Sequence, residues 1–126
     1  MATKRIALSG RRPIVIDTEQ WSRIADATGD SGRYGPGMTP RRLEEYSTWQ
    51  IVARQHNDGR VLVYVVTDDS GAVWGRPLPS GCHDGGELLE PGADVVEAIQ
   101  RVGRDCGVPA SEIRDCVASL APEVLP

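Results

Sequence analysis

At 126 residues and a formal net charge of −4, the chain has the size of one domain and length enough to bury a core, roughly two-thirds of the surface its unfolded form exposes. Its longest apolar run is the six residues Val61–Val66, far below the roughly twenty that a membrane-spanning helix needs. Residues 1–45 hold eight Lys/Arg against six Asp/Glu, and residues 46–126 hold six against twelve. That acidic later part disfavours a nonspecific nucleic-acid binder, which needs a basic face for phosphates, and fits docking on a basic partner.

With no Phe, and only three Trp and three Tyr, the core must be built mainly from Val, Ile, Leu and Ala. The odd set Cys82, Cys106 and Cys116 gives no disulfide framework and reads as free thiols of a reducing compartment. The opening MATKRIALSG has no apolar stretch of the secretory kind, so cytoplasmic residence is expected.

Taken in order, residues 4–17 predict a hairpin, with Ile6-Ala7-Leu8 and Ile14-Val15-Ile16 flanking Ser9–Arg12. Pro13, which has no N–H, belongs at a strand start or edge. Arg5, Arg11 and Arg12 read as solvated charges of an edge strand, with a phosphate or acidic-partner contact as the second reading. Asp17 or Thr18 then predicts a helix cap, and Trp21, Ile24, Ala25 and Thr28 recur at helical spacing, so a helix to about Thr28 packed on the sheet is expected. The stretch Gly29–Pro40, with four Gly and two Pro, predicts a long loop. Loops of about a dozen residues are uncommon unless they bind something or are disordered. No Gly-Lys-Ser/Thr ending makes it a phosphate loop. Arg33, Tyr34, Met38, Arg41 and Arg42 mix residue types enriched at protein interfaces, and form the first candidate contact surface.

The strongest local signal is Thr48–Asp69, two apolar runs joined at Asn57-Asp58-Gly59. Trp49, Ile51 and Ala53 share one face of the first strand, and Gln50, Val52, Arg54 and His56 the other. Val61–Val66 has no polar residue, as expected of an inner strand covered on both faces. A three-residue loop with Gly59 as a bulge, the preferred reading, aligns Val61, Val63 and Val65 with the Trp49 face; a two-residue loop aligns Leu62, Tyr64 and Val66 there. Arg54 and His56 are the residues this scaffold offers for function. A short third strand over Ala72–Arg76 is expected next.

The Gly-rich SGCHDGGELLEPG places Cys82, His83 and Asp84 together, and with His56 these frame a metal or thiol-enzyme alternative, though no CxxC or HxxxH spacing supports it. No cofactor or metal is expected. Asp84, Glu87 and Glu90, followed by Asp94 and Glu97, read as a solvated acidic face or a partner-binding patch. Asp94 and Glu97 resemble a capping box for a helix stopped by Gly107, with Val95, Ile99, Val102 and Cys106 as its apolar stripe. Ser111 opens a second helix carrying Ile113, Cys116, Val117 and Leu120 to Pro122. The pair over 99–118 has the packing positions of a helix-turn-helix, which keeps a DNA-binding regulator as an alternative, but Glu112 and Asp115 against one Arg114 match phosphates poorly.

Lys4–Pro13 (KRIALSGRRP) and WQIVARQHNDGRVLVY resemble stretches of small uncharacterised proteins carried on bacterial plasmids and related mobile elements, and the Asp94–Leu120 helices do so more loosely. Such accessory proteins include antagonists of host defence, among them anti-CRISPR and antirestriction proteins, which act by occupying a surface of their target. The resemblance implies a noncatalytic protein-binding factor, an inhibitor of a nucleic-acid-targeting defence complex, and homodimerisation stays open. The expected fold is α+β over residues 1–126: an antiparallel sheet of about five strands covered by one N-terminal helix and a C-terminal helix pair. Its expected contacts are Arg33, Tyr34, Met38, Arg41 and Arg42 on one side and Asp84, Glu87 and Glu90 on the other.

Overall fold

The computed structural model describes residues 2–30, 33–34, 43–45, 48–68, 84–122 and 124–125. The fold is α+β, and among the described residues all strand pairing is antiparallel and there are two helices. In place of one sheet of about five strands there is a four-stranded sheet, a separate N-terminal hairpin, and a short ribbon of Arg33–Tyr34 (β4) with Leu43–Glu45 (β5).

The hairpin, Thr3–Leu8 (β1) and Arg11–Asp17 (β2), turns at Ser9-Gly10 and buries Ile6, Leu8 and Ile16. Asp17 does not cap a helix. Its Oδ1 accepts from the Glu19 N–H at 3.0 Å and its carbonyl from Gln20 N–H at 2.9 Å, a turn built from the same short-side-chain chemistry that a cap uses. The expected N-terminal helix is therefore a strand, Trp21–Asp30 (β3). The reason for the difference is a bulge: Arg23 pairs with Arg54 of the next strand, but Ala25 pairs with Ala53, leaving Ile24 as the extra residue. Trp21 packs toward the N-terminal hairpin, whereas Ala25, Ile24 and Ala27 pack toward the opposite face. One inserted residue thus turns the strand's period of two into gaps of three and four, which imitate a helix.

Strand order in the main sheet is β3, then Thr48–His56 (β6), Val61–Asp68 (β7) and Gly85–Leu89 (β8). The central hairpin has the preferred register: Ala53 lies opposite Val63 and Ile51 opposite Val65, with Asn57-Asp58-Gly59 as a three-residue loop. Gly59 has φ of +99°, a conformation other residues enter only with strain, and its N–H closes the turn on His56 O at 2.9 Å. Val61–Val65 are buried and β7 lies inside the sheet, as its unbroken apolar run requires. The expected strand at Ala72–Arg76 lies outside the described residues. Its place beside β7 is taken by β8, whose Gly85-Gly86 reads as loop in the sequence. A Cβ on Gly86 would fall 2.5 Å from Val63 O, so glycine is what lets the strand approach.

The sheet is covered on both faces. Ile6, Leu8 and Ile16 of the hairpin meet Trp21, Val52, Leu62 and Tyr64 on one. Val95–Asp105 (α1) and Ala110–Ala118 (α2) cover the other, where Ala98, Ile99, Val102, Ile113 and Cys116 meet Trp49, Ile51, Ala53, Val63 and Val65. Asp94 caps α1 by accepting from Glu97 N–H at 3.1 Å. Its far end closes with Val108 N–H on Gly103 O at 2.8 Å and Gly107 N–H on Arg104 O at 3.1 Å, a Schellman pair. The cap of α2 is Pro109, two residues before the expected Ser111, whose hydroxyl instead donates to Glu112 at 2.7 Å.

Two further bonds tie the outer strands to their surroundings. Ser119, just beyond α2, accepts from the Asp26 N–H of β3 at 3.0 Å, and Ser9 N–H donates to Gly86 O of β8 at 3.0 Å. Among the described residues no helix is long and apolar enough to cross a membrane.

Candidate functional site

Among the described residues the hairpin covers the main sheet over β7, β8 and the Trp21 end of β3, and beyond it a strip remains where Arg23 and Thr28 are exposed and Asp26, Gln50 and Arg54 partly exposed. Cross-strand pairing dictates what this strip displays, because directly opposite residues share a face. Trp21 lies opposite His56, Arg23 opposite Arg54, and Thr28 opposite Gln50.

At the turn end of the strip, the Trp21 and His56 rings meet at 5.0 Å between centroids with a 58° tilt. The Arg60 guanidinium carbon stands 5.2 Å from the centroid of Trp21, within cation–π range. Asp58 gathers the turn. Its Oδ1 accepts from Arg60 N–H at 3.0 Å and its Oδ2 from Arg60 Nε at 2.7 Å. The Arg60 backbone N–H bonded to it, aided by the guanidinium, holds the Asp58 carboxyl below its ordinary value. His56 Nδ1 lies 3.1 Å from Asp58 N and 3.2 Å from Asp58 Oδ1. A neutral ring accepts from the amide, and a protonated one donates to the carboxylate.

Arg54 is held differently. Its Nε donates to Tyr64 Oη at 3.0 Å and its Nη1 to Trp21 O at 3.0 Å. Both acceptors are neutral, and among the described residues no carboxylate pairs with this half-buried cation. The neighbouring charges are already matched: Arg23 meets Asp26 at 3.0 Å and Arg60 meets Asp58 at 2.7 Å. Among the described residues the strip therefore presents one guanidinium without a carboxylate partner, fixed in orientation by two bonds, one of them to the Trp21 carbonyl.

The residues singled out in the sequence are placed elsewhere. Arg33 and Tyr34 form β4, with Arg33 opposite Glu45 and Tyr34 opposite Leu43 in backbone register. Met38, Arg41, Arg42, Cys82 and His83 lie outside the described residues. Asp84 is engaged within the chain, its Oδ1 accepting from Thr67 N–H at 2.8 Å and Thr67 Oγ1–H at 2.7 Å. Glu87 accepts from Arg101 Nε at 2.8 Å, and Arg101 also reaches Glu97 at 3.2 Å. Of the three acidic positions, Glu90 alone is exposed with no side-chain partner among the described residues. His56 is in the aromatic cluster.

Tyr64 and Arg60 are the site residues that sequence reasoning missed, whereas Trp21, read there most simply as core, is buried as expected and supports Arg60. The alternation of Arg54 and His56 on one strand face marks the site, but Trp21 joins it only once β3 is known to be a strand. Cys106 and Cys116 are buried core thiols, each pushed up to about 11 chiefly by burial. No group of three or more His, Cys, Asp or Glu side chains among the described residues converges to hold a metal.

A shallow groove of about 270 Å³ separates the two helices, lined by Gln100, Arg104, Ala110, Ile113 and Arg114. Comparison with family models, curated proteins and solved structures gives no match for this chain.

Proposed function

We propose that the chain is a noncatalytic protein-binding accessory factor and that it meets its partner through the strip carrying Arg23, Arg54 and Arg60, which the buried Trp21 supports from beneath. The observation that carries this reading is Arg54, a half-buried guanidinium held by two neutral oxygens beside an aromatic ring. Taking a charge partly out of water without a counter-ion is unfavourable, and a partner that supplies one gains from it. Arg is also among the side chains enriched at interface hot spots. In keeping with the mobile-element resemblance, the proposed role is that of an antagonist occupying a surface of a nucleic-acid-targeting host complex. The acidic stretch contributes less than its sequence implies, because Asp84 and Glu87 are spent on Thr67 and Arg101.

The test is affinity capture from host lysate with the folded full chain, then with Arg23→Ala and Arg54→Gln. The expected result is a discrete partner retained by the wild type and lost with either substitution. Wild-type protein that is folded yet retains nothing refutes the reading.

A DNA-binding reading has one observation in its favour, the two arginines lining the interhelical groove. Against it, both helices turn their apolar stripes to the sheet, and α2 sets Glu112 and Asp115 beside Arg114. Duplex binding measured against salt, repeated with Arg114→Glu, discriminates: tight, salt-sensitive binding lost in the variant favours DNA.

A further inference from the structure

Resting on the partner-binding reading, we infer that Arg54 is the anchor for a single carboxylate presented by an acidic segment of the partner protein. Three features of the strip lead to this ligand class.

A guanidinium has five N–H donors. Two of them are engaged, one from Nε and one from Nη1. The Nη2 amino group and the second Nη1 hydrogen have no acceptor among the described residues, and together they form the end-on fork that takes a carboxylate in two parallel bonds. The two existing bonds fix the plane of the fork, so little side-chain entropy remains to be lost on binding.

Local charge then limits the ligand. Opposite Arg54 is Arg23 from β3, already paired with Asp26, and at the turn Arg60, over the Trp21 ring, is already paired with Asp58. His56 stands two residues along the same strand against Trp21. With Arg23 and Arg60 already paired, Arg54 leaves the strip room for about one negative charge. A nucleic-acid backbone brings a row of phosphates and is matched by several free cations at once, which this surface does not offer. A protein carboxylate is the ligand of matching charge and shape.

The full chain, labelled with ¹⁵N, is titrated with sodium acetate, with inorganic phosphate and with a short single-stranded oligonucleotide, each against sodium chloride at matched ionic strength. The Arg54 Nε–H and Trp21 indole resonances are followed. Acetate is expected to shift Arg54 saturably where chloride does not. Arg54→Lys, which keeps the charge but not the fork, should weaken acetate binding by roughly tenfold, the effect of losing one charge-assisted bond. Identical curves for acetate and chloride overturn the site, and this comparison needs no variant. A phosphate or oligonucleotide response roughly tenfold stronger than that to acetate overturns the carboxylate assignment in favour of a phosphate ligand. A captured partner held equally well by wild type and Arg54→Lys also overturns the anchor while leaving the partner-binding reading intact. Failure of the wild type to capture anything sinks that reading instead.

Discussion

Removing the Tyr64 hydroxyl tests how Arg54 is held. Tyr64 is 0% exposed, and its Oη accepts from Arg54 Nε at 3.0 Å. In Tyr64→Phe the ring stays packed against Val52 and Leu62 while the guanidinium loses one of its two acceptors. Hydrogen bonds to charged groups are worth about 1.5–3 kcal/mol. Because Arg54 is half-buried and water can reach part of it, the expected loss is about 1–2 kcal/mol. Arg54→Met should cost a similar amount for the opposite reason, leaving a phenol oxygen buried without its partner, at about 1–3 kcal/mol. The double variant orphans neither group. Its cost should fall below the sum of the single losses by about 1 kcal/mol or more, since residues in direct contact do not add. Urea denaturation of the four proteins, with m-values checked for constancy, measures the cycle. Strictly additive losses would show that the two side chains are not coupled and would refute the account of how Arg54 is positioned.

Cys106 and Cys116 should resist iodoacetamide in the folded protein at pH 8 and react once it is unfolded in urea, since burial pushes both thiols up to about 11. Their folded pKa is raised above the ordinary 9.0, so the native state holds these protons longer than the unfolded chain. The stability they contribute is full below pH 9.0 and is lost as pH rises toward about 11. The urea midpoint should fall over that window, and the Cys106→Ala, Cys116→Ala double variant should flatten the fall. Gly86→Ala should destabilise by about 2–3 kcal/mol, as its Cβ meets Val63 O rather than a movable side chain. Hydrogen exchange of the β7 and β8 amides should quicken in that variant, and unchanged protection would contradict the close strand approach.

Where the chain's chemistry is local, the sequence is a sufficient guide. Asn57-Asp58-Gly59 marks its own turn, and of the two registers the sequence allows the preferred three-residue loop is the one that brings Val63 opposite Ala53. Asp94, Glu97 and Gly107 mark both ends of α1 because caps are built from neighbouring residues. Where the determinant is a distant strand, the sequence misleads. The Ile24 bulge is visible only against Ala53 and Arg54. The glycines of β8 make sense only against the backbone of Val63. The site inherits this limit: Arg54 and His56 are legible as one face of a strand, but their company of Trp21, Tyr64 and Arg60 is set by pairing across three strands. Asp84 and Glu87 show the converse, since residues that look available along the chain are consumed by Thr67 and Arg101 once it folds.

The bond from Asp26 N–H to Ser119 Oγ has a consequence for how the protein fails. An outer strand with free amides is a template on which another chain can add a strand, and polymerisation starts from such templates. Here the template is interrupted in mid-strand by a residue just past the last turn of α2, and at the sheet's other side by Ser9 on Gly86. Cys116 lies three residues before Ser119 and touches Ile51 O at 3.9 Å. Peeling away this one short helix would therefore bare a growth-competent strand and a thiol together, so aggregates formed on mild heating should carry Cys116 in alkylatable form before the rest of the core has opened.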